Sequence, residues 1–158
     1  MSSWEKAGVL IVSILLVAGA AAFGSQYGAG EWYRALHKPA FTPPAWVFGP
    51  VWSLLYLGMA VAAWLVWLRR QQAPVAAPLA VYLMQLLLNA LWSWIFFGQH
   101  ALGWAFAEIL LLDAAILATV ILFWRVRALS GALLIPYVCW VSFAAILNYA
   151  LWRMNAGA

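Results

Sequence analysis

ALGWAFAEILLLDAAILATVILFW, residues 101–124, carries two charges, Glu108 and Asp113, and is otherwise apolar or weakly polar. As a helix rising 1.5 Å per residue it reaches about 36 Å, enough to cross the ~30 Å hydrocarbon core of a bilayer. In lipid every backbone N–H and C=O must find its partner within the protein, and a helix does this alone. The alternation of a membrane β-barrel strand is absent from the run. It reads as one transmembrane helix.

Four more runs of the same kind fill the chain. The expected helices are about 7–27, 44–68, 79–97, 101–124 and 131–153, with a long first loop at about 28–43. A signal peptide is the competing reading of the first run, but the run exceeds the usual apolar core of about 7–15 residues, and Lys6 is the only base before it. Composition agrees: 68% of the 158 residues are hydrophobic, 8% are charged, and mean hydropathy is +0.95. A soluble domain needs far more charge on its surface. The fold class is therefore an all-α integral membrane protein, a single five-helix transmembrane bundle over residues 1–158.

Punctuation supports these bounds. Thr42-Pro43-Pro44 is expected to start the second helix, with Thr42 as a cap. Pro50 is expected to bend that helix, and Pro136 to perturb the early turns of the fifth, which Ser130-Gly131 begins. The formal net charge of +4 comes from bases lying between apolar runs, which face lipid headgroups; no nucleic-acid partner is expected. Lys6, Arg69, Arg70, Arg125 and Arg127 share one side, against Arg34, Lys38 and Arg153 on the other. This excess places the N-terminus inside and the first loop outside. Cys139 is the single cysteine, which excludes an internal disulfide and a multi-cysteine metal site.

Several side chains recur at helical spacing. Trp52 and Tyr56 share a face of the second helix, and Asn89 and Ser93, and Trp92 and Phe96, share faces of the third. Trp140, Ala144 and Leu147 form a stripe on the fifth. Such stripes either converge on an aromatic-lined pocket for a flat apolar ligand or are ordinary packing and lipid contact. Gln85, Asn89 and Asn148 lie at membrane depth, where interhelical hydrogen bonding is the simpler role. Glu108 and Asp113 are about 140° apart around their helix, poorly placed as a pair, and a lone acid paired to a helix-end base is expected instead. His37 and His100 lie in separate loops with no matching ligand motif, so no metal site is expected. Arg34 and Lys38 suit either ligand carboxylates or headgroups at the bundle mouth. Leu147, Tyr149 and Arg153 fit a loose sterol-contact pattern and serve equally well as interfacial anchors.

Three blocks carry a chain-wide resemblance. The first is Trp32-Tyr33, Leu36, Lys38-Pro39, Pro43-Pro44-Ala45-Trp46, Phe48-Gly49-Pro50-Val51-Trp52 and Leu55-Tyr56. The second is Gln85-Leu86, Asn89, Trp92 and Phe96-Phe97-Gly98. The third is Pro136-Tyr137, Trp140, Phe143-Ala144, Leu147-Asn148, Trp152 and Asn155. In order and spacing the chain resembles the tryptophan-rich sensory protein / translocator protein (peripheral-type benzodiazepine receptor) family. The resemblance implies a homodimeric five-helix bundle in a bacterial membrane, with a pocket under the first loop. It implies porphyrins, haem, sterols and benzodiazepine-type ligands as partners, and no required cofactor beyond porphyrin or haem as ligand. A role in tetrapyrrole transport or the regulation of porphyrin metabolism follows, with ligand-regulated signalling or assembly as an alternative. Another alternative is light-dependent porphyrin degradation, for which Trp52 and Trp140 are the candidates. The pocket positions it implies are Tyr33, Trp52, Tyr56, Asn89, Trp92, Phe96, Cys139 and Trp140.

Two departures from that pattern stand out. Cys139 replaces the usual Ala before Trp140, which puts a larger, polarizable side chain at the expected pocket wall. Met84 and Leu88 replace the small residues that form a dimer seam in some relatives. Gly58/Ala62 and Ala114/Ala118 remain as candidate seams.

Overall fold

A computed structural model describes residues 2–156. The chain folds into α1 (Ser3–Ser25), α2 (Glu31–Ala35), α3 (Ala45–Trp67), α4 (Ala76–Ser93) running into a π-helical turn (Trp94–Gly98), α5 (Leu102–Val126), α6 (Ala128–Ala132) and α7 (Ile135–Asn155). Five of the resulting segments are long and apolar enough to cross a membrane: α1, α3, α4 with its π turn, α5, and α6 with α7.

Local chemistry explains where these bounds differ from expectation. α1 begins before the apolar run because Ser2 and Glu5 form a capping box: Ser2 Oγ accepts from the Glu5 N–H at 3.2 Å, and Glu5 Oε2 accepts from the Ser2 N–H at 2.8 Å. Thr42 does not cap α3. Its hydroxyl turns back to donate to the Pro39 carbonyl at 2.8 Å, and Pro44 occupies the cap position. α4 starts three residues earlier than expected, since Pro78 falls in its first turn, where no N–H is missed. Ser130-Gly131 belongs to the short α6. The chain breaks at Leu133–Leu134, and Pro136 takes the start of α7. Gly131 permits this break: a Cβ there would lie 2.8 Å from the Trp124 Cβ.

Helix α5 is the centre of the bundle. Its buried positions Ala105, Glu108, Ile109, Leu112, Ile116, Thr119 and Phe123 follow the 3–4 spacing of one helix face. That face packs against α4 and α7. α1 packs on α3 and α4 and buries only Ser13 and Val17, so most of its surface is left to lipid. It packs as a member of the bundle. Lipid is as apolar as the side chains, so close packing and interhelical hydrogen bonds hold the helices together. The Tyr82 and Phe123 rings stack at 5.5 Å in the core.

Two further expectations change. The seam at Gly58 and Ala62 is used within the chain: Ala62 is fully buried, and a Cβ on Gly58 would meet the Leu133 carbonyl at 3.3 Å. Among the described residues neither acid pairs with a base at a helix end. Asp113 Oδ2 accepts from the Ser142 hydroxyl at 2.8 Å, and both Glu108 oxygens are buried without a hydrogen-bond partner.

Candidate functional site: an aromatic chamber beneath the first loop

The sequence between α1 and α3 forms a lid. Its short α2 carries Trp32, Tyr33 and Arg34. Asn155, at the end of α7, clamps the lid: its Oδ1 accepts from the His37 N–H and its Nδ2 donates to the His37 carbonyl, both at 3.0 Å. Trp32 stacks on His100 with ring centres 4.1 Å apart and planes 12° from parallel. His100 can turn toward it because its backbone is left-handed, with φ of 55°. Both histidines therefore work in lid contacts.

Beneath the lid lies a chamber of ≈ 810 Å³. This falls within the roughly 300–1,000 Å³ of ligand sites generally. Trp52 and Tyr56 form one wall from α3, their rings 5.4 Å apart as one-turn spacing requires. Asn89 and Trp92 form the facing wall from α4. Ile109, Leu112 and Val141 supply apolar surface from α5 and α7, and Arg34 and Lys38 belong to the lid side. A small adjoining pocket of ≈ 70 Å³ is bordered by Phe96, Trp140, Leu147 and Asn148. Tyr33, Phe48, Trp52, Trp92, Phe97 and Ala144 border both spaces.

Hydrogen bonds fix these walls. Tyr56 donates to Asn89 Oδ1 at 2.8 Å, and Asn89 Nδ2 donates to the Tyr137 hydroxyl at 2.9 Å. The Tyr137 hydroxyl then donates to Gln85 Oε1 at 2.8 Å. The Trp92 indole donates to Asn148 Oδ1 at 3.1 Å, and Asn148 Nδ2 donates to the Leu102 carbonyl at 2.9 Å. Tyr56, Gln85, Asn89, Trp92, Tyr137 and Asn148 are thus paired across α3, α4, α5 and α7, which leaves the chamber surface mainly aromatic and apolar. Tyr33, outside the spans, has its phenol raised above the ordinary value of 10 by burial, so it stays neutral at physiological pH.

Residues 9–153 match the description TspO/MBR family. The chain belongs to the TspO/MBR family. The human translocator protein is 42% identical to this TspO/MBR chain over 139 residues, covering 85% of this chain and 82% of the relative. Protein CrtK of Rhodobacter capsulatus is 40% identical over 147 residues, 92% of each chain. The tryptophan-rich sensory protein of Cereibacter sphaeroides is 35% identical over 147 residues, 92% of this chain and 91% of that one.

The structure of this TspO/MBR protein sorts the candidate residues. Tyr33, Trp52, Tyr56, Asn89 and Trp92 meet at the main chamber, while Phe96 and Trp140 border only the small pocket. Cys139 must be corrected: it is exposed and borders neither space. Cys139 lies about 100° from Trp140 around α7, on the exposed side, whereas Val141, about 100° the other way, is buried against the chamber. The sterol pattern does not form one surface either. Leu147 is buried toward the small pocket, whereas Tyr149 and Arg153 are exposed.

Three residues gain roles that spacing alone did not give them. Tyr137 is the hub of the buried network, Asn155 clamps the lid, and Phe97 borders both spaces. The signal for the first two was a polar group at a helix position facing other helices. Phe97 had no such signal, because its direction depends on the π turn.

Proposed function

We propose that this TspO/MBR protein is a membrane receptor or carrier for tetrapyrroles and related flat apolar ligands, bound in the chamber under the lid. The observation that carries this reading is the chamber itself: ≈ 810 Å³ of space between Trp52 and Trp92, floored by aliphatic side chains and covered by a clamped loop. Indole walls favour a flat ring system by stacking and by the apolar area they cover. The small set of polar groups at its edge orients a ligand without demanding a charged centre. The names of the relatives, translocator and sensory protein, point the same way, toward handling a ligand in the membrane.

The mechanism is burial. The ring enters beneath the lid, displaces solvent or lipid from the aromatic walls, and is covered by Tyr33 and the residues that follow it. Occupancy then bears on the lid, which Asn155 clamps through His37. Carriage and sensing share this first step.

The test is a titration of the protein, reconstituted in lipid, with protoporphyrin, haem and cholesterol, followed by tryptophan fluorescence. Protoporphyrin should quench emission saturably. Trp52→Phe with Trp92→Phe should weaken binding by about tenfold or more, since each ring contributes on the order of 1 kcal/mol of stacking beyond its area. Trp140→Phe should have a smaller effect, because Trp140 borders only the small pocket. An affinity unchanged in the Trp52/Trp92 double variant would remove the chamber as the binding site.

A further inference from the structure

The small pocket beside the chamber has no room for a ring system. Its ≈ 70 Å³ lies where α7 and the π turn meet the start of α3. Sites for drug-sized ligands begin at roughly 300 Å³. Phe96, Trp140, Leu147, Asn148 and Leu151 border this pocket and not the chamber. All of these but Trp140 are at most 6% exposed, so the pocket is closed on its far side. Its near side is the partition shared with the chamber, in which Ala144 is the one small member among bulky aromatic side chains. The pocket is therefore reached through the chamber.

Water does not suit the far side. A buried water needs two to four polar partners. The Asn148 amide is already engaged at both ends, accepting from the Trp92 indole and donating to the Leu102 carbonyl. Beyond that amide the far side offers one indole N–H, that of Trp140. Close-packed interiors hold few voids of this size, and an empty one forfeits the contacts its lining could make. The occupant that suits these walls is apolar. An apolar cavity of about 150 Å³ takes benzene or xenon, so this pocket takes one molecule of about two or three heavy atoms. Dioxygen is diatomic, apolar and readily soluble in the hydrocarbon of a bilayer.

We propose that the small pocket is a second binding site, which takes dioxygen or another apolar molecule of that size. It is distinct from the ring site and does not depend on what fills the chamber. The bound gas lies against the Trp140 and Phe96 rings, and at Ala144 a single methyl group divides it from the chamber. A ring held in the chamber then has a small apolar molecule stored at its edge.

The experiment uses the full chain in lipid nanodiscs with its leucine methyls isotopically labelled, and xenon as the probe. As xenon pressure rises, the Leu147 and Leu151 methyls should shift along a saturating curve. The methyls of Leu54 and Leu87, 69% and 73% exposed toward lipid, should respond linearly. Dioxygen, being paramagnetic, should speed relaxation of the same two pocket methyls and compete with xenon. Leu147→Phe fills the pocket and should lower xenon affinity, read at Leu151, by about tenfold. Ala144→Val is the milder filling, to be read if Leu147→Phe lowers Tm by more than a few degrees, and should lower the affinity in the same direction. A linear response at Leu147 and Leu151, or a saturable one that both fillings leave unchanged, would overturn the site. Saturable xenon binding without competition by dioxygen would overturn its assignment to that gas. Loss of xenon binding when protoporphyrin saturates the chamber would give the pocket to a branch of that ligand and overturn a separate site.

Discussion

A single phenol, that of Tyr137, ties α4 to α7 twice over, through Asn89 and through Gln85. It is almost fully buried, so its partners have no water to turn to. Removing the oxygen leaves an amide N–H and an amide carbonyl without that partner. Tyr137→Phe should therefore destabilise the protein by about 1–2 kcal/mol. Thermal unfolding in detergent reads this as a lower Tm, while the same change at Tyr82, whose hydroxyl reaches the Met59 carbonyl only at 3.3 Å, should cost less. Residue-level reading of the sequence succeeded where a face was defined by simple spacing: Trp52 with Tyr56, and Asn89 with Ser93, border the chamber as a one-turn offset requires. It failed at Cys139, which is exposed on α7 although the next two residues, Trp140 and Val141, border the two spaces.

Helix ends and breaks account for most of the remaining differences from expectation. The π turn at Trp94–Gly98 adds one residue to a helical circuit and turns Phe97 toward the chamber, yet nothing in its composition separates it from the end of an ordinary helix. The α6–α7 break goes with the close approach of Gly131 to Trp124 at the end of α5, a packing fact that Ser130-Gly131 does not announce. Glycine substitutions separate these cases. Gly131→Ala should destabilise by about 1–3 kcal/mol, since its Cβ would overlap Trp124. Gly19→Ala, in the lipid-facing middle of α1 with nothing within 4 Å of the new Cβ, should stabilise by about 0.5–1 kcal/mol. Equal effects on Tm would contradict this account of the two elements. The lid is tied to the end of α7 by one side chain, Asn155. Asn155→Ala removes both bonds to His37, so hydrogen exchange in residues 31–44 should quicken, and ligand should associate and dissociate faster without losing its wall contacts.

The five spans were legible throughout the molecule, because each apolar run is long enough to cross a bilayer and a helix is the structure that satisfies its backbone there. The chamber was legible only as converging stripes. Its size depends on how far α1 and α3 stand from α4 and α5 beneath the lid, which no one-dimensional pattern encodes. Ala144 offers a way to test that space directly. It borders both the chamber and the small pocket, and it is the only small side chain among the residues that do so. Ala144→Phe places a ring in the void while leaving Trp52, Trp92 and the lid as they are. The measurement is the equilibrium affinity for protoporphyrin in lipid nanodiscs, with Tm recorded on the same preparation. If the chamber holds the ligand, affinity should fall at least about tenfold while Tm stays within a few degrees of wild type. Wild-type affinity in a folded Ala144→Phe protein would contradict it.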